Sequence, residues 1–418
     1  MGSIVIKDVL LNEQSTSILI ESNIISGIGD NVPMPDNAFV IDGRGKAALP
    51  SFANMHTHAA MSLFKGLGSD LPLHRWLNDC VWPAEQRLDG EAVYWGVKLA
   101  CLEMIKSGTT LFNDMYFHLP WAAKAVAEMG IRAVLGLNVF GDGDELTESA
   151  FSQLRGEVEG TGELLQLSIA PHSVYTVSEK GLARCAEISQ RHGTIYQIHM
   201  SETEREVQEC LANHGCRPYE LLERTGVLSM TEGRLIGAHC LYLSPREIDL
   251  MAHHHVTATH NPASNLKLGS GYRFPYAELR NAGVNIALGT DGSASSNNLD
   301  MIEAARLMSY LQKGVRQDPT VLPVQELLRV TTENGFQAAG IDGGKIAVGK
   351  VADLILVDLD NLAFVPMHDT LSGLFYAAHA DCVDTVICNG RVIMRDRHVD
   401  GEEEIRIQAH KHSHRLKG

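Results

Sequence analysis

Positive charge is scarce in this chain. Its 35 Lys and Arg against 51 Asp and Glu give a formal net charge of −16 over 418 residues, and the basic residues never cluster beyond a local pair. A nucleic-acid groove or a footing on an anionic membrane needs such clusters, so both are excluded. Long apolar runs are missing too. No stretch approaches the roughly 18 apolar residues of a membrane span, and Met1-Gly2-Ser3-Ile4-Val5 has no charged segment leading into an apolar one, so a cytoplasmic protein without signal peptide is expected. The 8 cysteines include no Cys-x-x-Cys pair, which removes a zinc ribbon and a thioredoxin-type redox motif. The lack of Pro-Cys-x-x-Cys also removes the cytidine-deaminase kind of zinc site. Most cysteines should be reduced and buried, with Cys240, directly after His239, the one to watch.

What is present suffices for a sizeable core: 44% hydrophobic residues and 38 glycines. The length allows two or three domains, or one large α/β barrel with an appendage. Short alternating segments at 3–11, 16–21, 23–27 and 38–41 read as strands, and the same texture returns at 351–358, 383–388 and 391–395, with Asn389-Gly390 a strong hairpin signal. One small β domain built from both chain ends is inferred, covering 1–49 and 348–418. Between them, strand-like segments at 48–58, 109–115, 132–140, 165–172, 195–202, 234–240, 256–262 and 285–292 alternate with helical patterns. That alternation predicts an α/β fold, a closed (β/α)8 TIM-like barrel over 50–347, carrying the small β-sandwich domain at its side. The longest interruption, 60–88, follows the first strand and holds Trp76, Trp82 and Glu85. Loops at that end of a barrel usually carry function.

A barrel gathers its chemistry at the C-terminal ends of its strands. The first strand ends in His56-Thr57-His58, where a spacing of i, i+2 puts both imidazoles on one face, roughly 6–7 Å apart. The fourth ends in Ala170-Pro171-His172, the fifth in His199-Met200-Ser201-Glu202 and the sixth in Ala238-His239-Cys240. The seventh and eighth end in Thr259-His260-Asn261-Pro262 and Gly289-Thr290-Asp291-Gly292. Singly, a histidine ending a strand is more often a satisfied structural residue than a ligand. Histidine or aspartate closing six of eight strands is hard to reach by chance. His253-His254-His255, by contrast, is placed on the solvated end of a helix, and His410, His412 and His414 in a charged, disordered tail.

His56-x-His58, His199-x-x-Glu202, His239 and Thr290-Asp291-Gly292 together resemble the amidohydrolase superfamily. Within it, Ala170-Pro171-His172, Asn261-Pro262-Ala263-Ser264-Asn265-Leu266-Lys267-Leu268 and the stretch 289–298 look like the methylthioadenosine/S-adenosylhomocysteine deaminase group. The likeness spans nearly the whole chain. It implies one divalent ion on His56, His58, His199 and Asp291, with Zn²⁺ the expected metal and iron a substitute. One metal rather than two is favoured because the fourth strand holds no lysine to be carboxylated as a bridge. The resemblance further implies activated water attacking an adenine-type ring carbon, Glu202 protonating the ring nitrogen, His239 orienting the water, and Asp291 moving its proton. Glu202 and Asp291 would thus both touch substrate. Glu85, in Trp82-Pro83-Ala84-Glu85, would read the ribose diol, and His172 would hydrogen-bond the nucleoside. Trp76 would either cover the nucleoside or simply pack the loop.

One departure bears on substrate choice. Relatives handling S-adenosylhomocysteine carry arginine near the end of the third strand, where this chain has Leu137. A carboxylate-bearing 5′ group would lose its partner, so adenosine, 5′-deoxyadenosine or methylthioadenosine is favoured. The expected activity is hydrolytic deamination of an adenine nucleoside by a homo-oligomer, dimer or tetramer. Two alternatives remain open: the same machinery acting on guanine, 8-oxoguanine, a pterin or a chlorinated triazine, and a scaffold without catalysis. Glu85→Gln discriminates the first, since a free base has no ribose to lose.

Overall fold

The N-terminal stretch alternates β-branched and polar residues and forms five short strands: β1 (Ile4–Leu11), β2 (Gln14–Glu21), β3 (Ile24–Gly29), β4 (Phe39–Asp42) and β5 (Lys46–Pro50). Asn12 and Glu13, at φ 49° and 63°, close the first hairpin with the left-handed pair that matches strand twist. The computed structural model describes residues 2–71 and 73–417. Eight further strands follow in order: β6 (Phe52–Thr57), β7 (Thr109–Tyr116), β8 (Arg132–Val139), β9 (Leu165–Pro171), β10 (Tyr196–Met200), β11 (Leu235–His239), β12 (Thr257–His260) and β13 (Asn285–Leu288). Each pairs in parallel with the next. The last three strands are β14 (Leu354–Asp358), β15 (Val383–Cys388) and β16 (Arg391–Met394), which join the first group in the order β16-β15-β14-β5-β1-β2-β3, with β4 beside β1.

Residues 48–58 were expected to be one barrel strand. They are two. The run breaks at Ser51: β5 pairs antiparallel with β14, and only β6 enters the barrel. Both sides of the break are buried and apolar, so hydropathy carries no mark of where the chain changes sheets. Alternate residues of β14 likewise serve two cores, Leu354 and Leu356 facing the chain-end sheet's own cluster while Ile355 and Val357 join the barrel's, as period-2 geometry requires. Arg132 at the base of β8 ties the two bodies together, its guanidinium 3.0 Å from Asp353 and 2.6 Å from Asn389.

β13 returns to β6 and closes the barrel. Asn54 donates to the Thr290 hydroxyl at 2.7 Å and accepts the Thr290 N–H at 3.0 Å, and the Asp291 N–H donates to the His56 carbonyl at 2.9 Å. Gly289 permits this approach, since a Cβ there would lie 2.9 Å from the His56 backbone. Opposite the site, Phe336 on the helix Glu333–Ala338 is fully buried among Ala53, Met55, Leu111 and Ile236 and plugs the barrel floor, a burial worth roughly 1.5–3 kcal/mol. The adjacent Gly335 lets that helix in; a Cβ would sit 2.6 Å from that of Ala53.

Helices cover the outside, several with side-chain caps: Asp89 caps Gly90–Lys106, Ser178 caps Glu179–His192, and Ser244 with Glu247 forms a capping box on Pro245–His253. The 60–88 interruption folds into short helical turns, among them Ala59–Phe64 and Trp82–Glu85. The C-terminal tail, expected to be disordered, is instead the helix Glu402–Lys417. Ile405, Ala409, His412 and Leu416 form its buried stripe, Ser413 donates to the Leu63 carbonyl and Arg415 pairs with Asp89. The histidines at 410, 412 and 414 therefore sit on an ordered helix, with His412 buried. Among the described residues no helix is long and apolar enough to cross a membrane.

Candidate active site and metal centre

The chemistry-bearing residues sit where the barrel strands leave their ladders. Ser201, His239, Cys240 and Asp291 all adopt positive φ, between 50° and 74°. These turns swing side chains over the barrel mouth, and the strands read from sequence overrun the ladders there, by one residue at His58 and His172, two at Glu202 and four past β13: His58, His172, Glu202 and Asp291 lie just beyond the ladder, at the lip.

Three imidazoles converge first. The ring nitrogens of His56, His58 and His199 available as ligands lie within 4.8 Å of one another. His58 Nδ1 donates to the Met115 carbonyl at 2.6 Å and His199 Nδ1 to the His172 carbonyl at 2.7 Å. A carbonyl only accepts, so each Nδ1 holds the proton and each Nε2 presents a bare lone pair. Those two Nε2 atoms face each other at 3.4 Å. His56 Nε2 is fully buried with no hydrogen-bond partner. Burial, reinforced by the neighbouring rings, holds His199 down at about 4 and His56 well below its ordinary value, so both are neutral at physiological pH. Asp291 Oδ1 stands 3.3 Å from His58 Nε2 and 3.7 Å from His56 Nε2. Bare lone pairs, an orphaned buried nitrogen and a carboxylate aimed at one point fit a divalent cation and little else.

Around this centre stand three further polar groups, Glu202, His239 and Asp291. Glu202 is nearly buried; burial first, then the charge of Asp291, pushes its carboxyl up to about 7. Its Oε1 accepts from the Ser270 hydroxyl at 3.0 Å, and its Oε2 lies 3.9 Å from His239 Nε2. His239 Nδ1 receives the Asn265 amide at 2.9 Å and the Asn261 amide at 3.3 Å. That places the ring proton on Nε2, facing the centre. Burial holds His239 at about 4, so it acts as a neutral donor. Asp291 Oδ2 accepts from Ser264 at 2.6 Å and Ser295 at 3.0 Å.

A cavity opens over these groups, with His58, His199, Glu202, His239 and Asp291 at its floor and Glu85, His172 and Trp76 on its walls. Burial raises the Glu85 carboxyl, with the Tyr116 hydroxyl and His58 pulling the other way. His172 stacks on Phe140 with centroids 5.1 Å apart, and its Nδ1 meets the Thr176 hydroxyl at 3.0 Å, leaving Nε2 free to face a ligand. Trp76 is 5% exposed and donates to the Leu67 carbonyl at 3.0 Å, so it packs the loop and lines the cavity at once. A second cavity adjoins the first across Trp82, Glu85, Tyr116, Phe117 and Asn138 and is walled by Leu88, Leu119, Leu137 and Leu154. Neither lining includes a lysine or arginine among the described residues.

The profile of the Amidohydrolase family matches residues 47–393. The chain belongs to this family. A 5′-deoxyadenosine deaminase of Methanothermobacter thermautotrophicus is 44% identical to this amidohydrolase over 393 residues, 93% of this chain and 91% of that protein. A 5-methylthioadenosine/S-adenosylhomocysteine deaminase of Halothermothrix orenii is 43% identical over 399 residues, 93% of this chain and 91% of that protein. The crystal structure of a zinc-bound adenosine deaminase from Xanthomonas campestris superposes with a TM-score of 0.92 at 30% identity, covering 100% of this chain and 99% of that one.

All nine residues singled out in the sequence gather at this one mouth. Sequence reasoning gave no role to several others in the amidohydrolase site: Ser264 and Ser295 on Asp291, Asn261 and Asn265 on His239, Ser270 on Glu202, and the buried Glu206. Ser264, Asn261, Asn265 and Ser295 lay inside stretches already noted for their resemblance, but short polar side chains carry no chemistry of their own until the partner is seen. Glu206 had a readable signal, the Thr203-x-x-Glu206 spacing of a capping box.

Proposed function

We propose that this amidohydrolase deaminates adenine nucleosides, replacing the C6 amine with oxygen and releasing ammonia. The observation that carries the reading is the convergence of three imidazoles, His56, His58 and His199, beside the buried carboxyl of Glu202, which burial pushes up to about 7. His56, His58, His199 and Asp291 would hold the ion, and Zn²⁺ fits this nitrogen-rich donor set best. When bound, such an ion supplies a Lewis acid that makes water a competent nucleophile near neutral pH.

The chain's own residues supply the rest. His239 donates its Nε2 proton as a hydrogen bond to orient the attacking water. As the water oxygen bonds to C6, its proton passes to Asp291 while Glu202 protonates the adjacent ring nitrogen, so the developing charge never accumulates on the ring. Asp291 then hands its proton to the amine, the C–N bond breaks and ammonia leaves, and as the carbonyl forms the C6 oxygen passes its remaining proton to the Glu202 carboxylate, which restores the acid for the next turnover. Glu85 accepts from both ribose hydroxyls, as one carboxylate can, and His172 hydrogen-bonds the nucleoside.

The neighbouring apolar cavity supports small, uncharged 5′ groups: Leu137 stands on its wall, and a carboxylate or ammonium placed there would be desolvated without a partner. 5′-Deoxyadenosine, methylthioadenosine and adenosine are the favoured substrates. Eight free cysteines support a reducing, cytoplasmic setting. An ammonia-release screen over these three, S-adenosylhomocysteine, guanine and 8-oxoguanine, with metal analysis of the same sample, tests the proposal. Turnover of the small nucleosides with one metal per chain is expected. Turnover of only the free bases would overturn it, and higher efficiency with S-adenosylhomocysteine than with all three small nucleosides would overturn the 5′ preference.

A further inference from the structure

Behind Glu202 lies a second carboxyl that the mechanism does not use. Glu206 is 3% exposed, buried under the very turn that carries the proton donor. Its Oε1 accepts the Ser201 N–H at 2.7 Å and its Oε2 the Glu202 N–H at 2.8 Å, while its own N–H donates to the Thr203 hydroxyl at 3.1 Å. In an ordinary capping box the glutamate three residues after the cap reaches back to the cap's own N–H. Here that N–H would be Thr203's. Glu206 overshoots it and takes the two residues before, so it fixes the departure of the chain from β10 rather than the start of the helix Glu204–His214.

That departure needs fixing. Ser201 sits at φ 50°, a conformation that costs a residue with a Cβ of order 1–3 kcal/mol and persists only where its surroundings enforce it. The Ser201 carbonyl is held from the other side by the N–H groups of Leu241 and Tyr242, both at 3.1 Å. With Glu206 gripping the N–H groups, the peptide plane before Glu202 is clamped on both edges. We propose that Glu206 is a positioning residue for proton transfer: by clamping the Ser201 and Glu202 N–H groups it aims the Glu202 carboxyl at the substrate's ring nitrogen, without touching substrate or metal itself.

This rests on Glu202 being the proton donor proposed above. If the metal-loaded wild type deaminates no adenine nucleoside, that reading fails on the wild type alone, before any variant is compared. The test measures kcat, KM and bound metal for wild type, Glu206→Gln, Glu206→Ala and, as a neighbour on the same helix, the exposed Glu204→Gln. Misplacing a reacting group by about 1 Å costs on the order of a hundredfold in rate. Glu206→Ala, which keeps neither acceptor, should therefore lose about a hundredfold in kcat. Glu206→Gln, which keeps one, should lose about tenfold, each with KM changed less than about threefold and metal content unchanged. Glu204→Gln should match wild type. A merely structural glutamate would lower thermal stability and leave kcat per folded, metal-loaded chain alone. The proposal is overturned if kcat in both variants stays within about threefold of wild type, if kcat falls only in proportion to lost metal, or if the loss appears in KM instead. Should Glu206→Ala not fold, the isosteric Glu206→Gln decides by the same criteria.

Discussion

A carboxyl tuned by burial leaves a thermodynamic trace, and Glu202→Gln in the metal-free protein should reveal it. In the folded chain, burial and the nearby Asp291 charge raise Glu202 from its ordinary 4.5 to about 7. The unfolded chain ionises it freely. The sign follows: the stability gained by keeping the proton is fully present below pH 4.5 and is lost as pH rises through about 7. At pH 8 the folded wild type holds a carboxylate it disfavours by about 3 kcal/mol, at about 1.36 kcal/mol per pH unit. Gln removes the charge while its Oε1 can still accept from Ser270. The variant should therefore be the more stable protein at pH 8, by up to about 3 kcal/mol or a few degrees in Tm, with the gain shrinking to a few tenths of a kcal/mol at pH 4.5. Denaturant and thermal melts in excess chelator at the two pH values measure it. A wild type as stable as Glu202→Gln at pH 8, or a gain that persists undiminished at pH 4.5, would refute the reasoning. The same substitution should cost about 10²–10⁴-fold in kcat, the stability–activity conflict expected of a buried catalytic acid.

Two further substitutions probe substrate choice. Glu85→Gln should lower kcat/KM for 5′-deoxyadenosine by roughly 10–100-fold through the lost charge-assisted hydrogen bonds to the diol, while any turnover of a free purine base changes little; equal losses on both would remove Glu85 from ribose recognition. Leu137→Arg places a cation on the wall of the apolar cavity and should raise the efficiency with S-adenosylhomocysteine relative to 5′-deoxyadenosine by about tenfold; an unchanged ratio in a folded, metal-loaded variant would show that this cavity does not receive the 5′ group.

The parts of the fold that were legible are those where one residue type announces a physical need. Buried parallel strands read as apolar runs, and polar residues closing such runs mark the barrel mouth, so His56, His172, His199, His239 and Asp291 could be lined up before any coordinates. The illegible parts are those where the need is met by something unremarkable. At Ser51 the chain changes sheets inside an unbroken apolar run. In the C-terminal helix the buried positions 405, 409, 412 and 416 do recur at helical spacing, but Ala409 and His412 sit among Glu402, Glu403, Glu404 and a crowd of basic side chains, so the stripe is drowned by its polar flank and the segment reads as tail.

The same contrast separates reaction from specificity in this site. Binding a cation and moving protons require particular atoms, bare imidazole nitrogens and carboxyls of shifted acidity, and only a few residue types offer them; their pattern survives in sequence over separations that closure of the barrel then spans. Accepting one 5′ group over another requires only a volume and the presence or absence of a charge, which on the proposed reading Leu88, Leu119, Leu137 and Leu154 would supply from four different parts of the chain with side chains that would be equally at home in any core. A leucine lining a substrate cavity and a leucine packing a helix are the same in sequence. What distinguishes Leu137 is only that it shares a cavity wall with Glu85, which is why its exchange for arginine, more than any change among the proposed metal ligands, is the substitution expected to shift the choice between the candidate nucleosides.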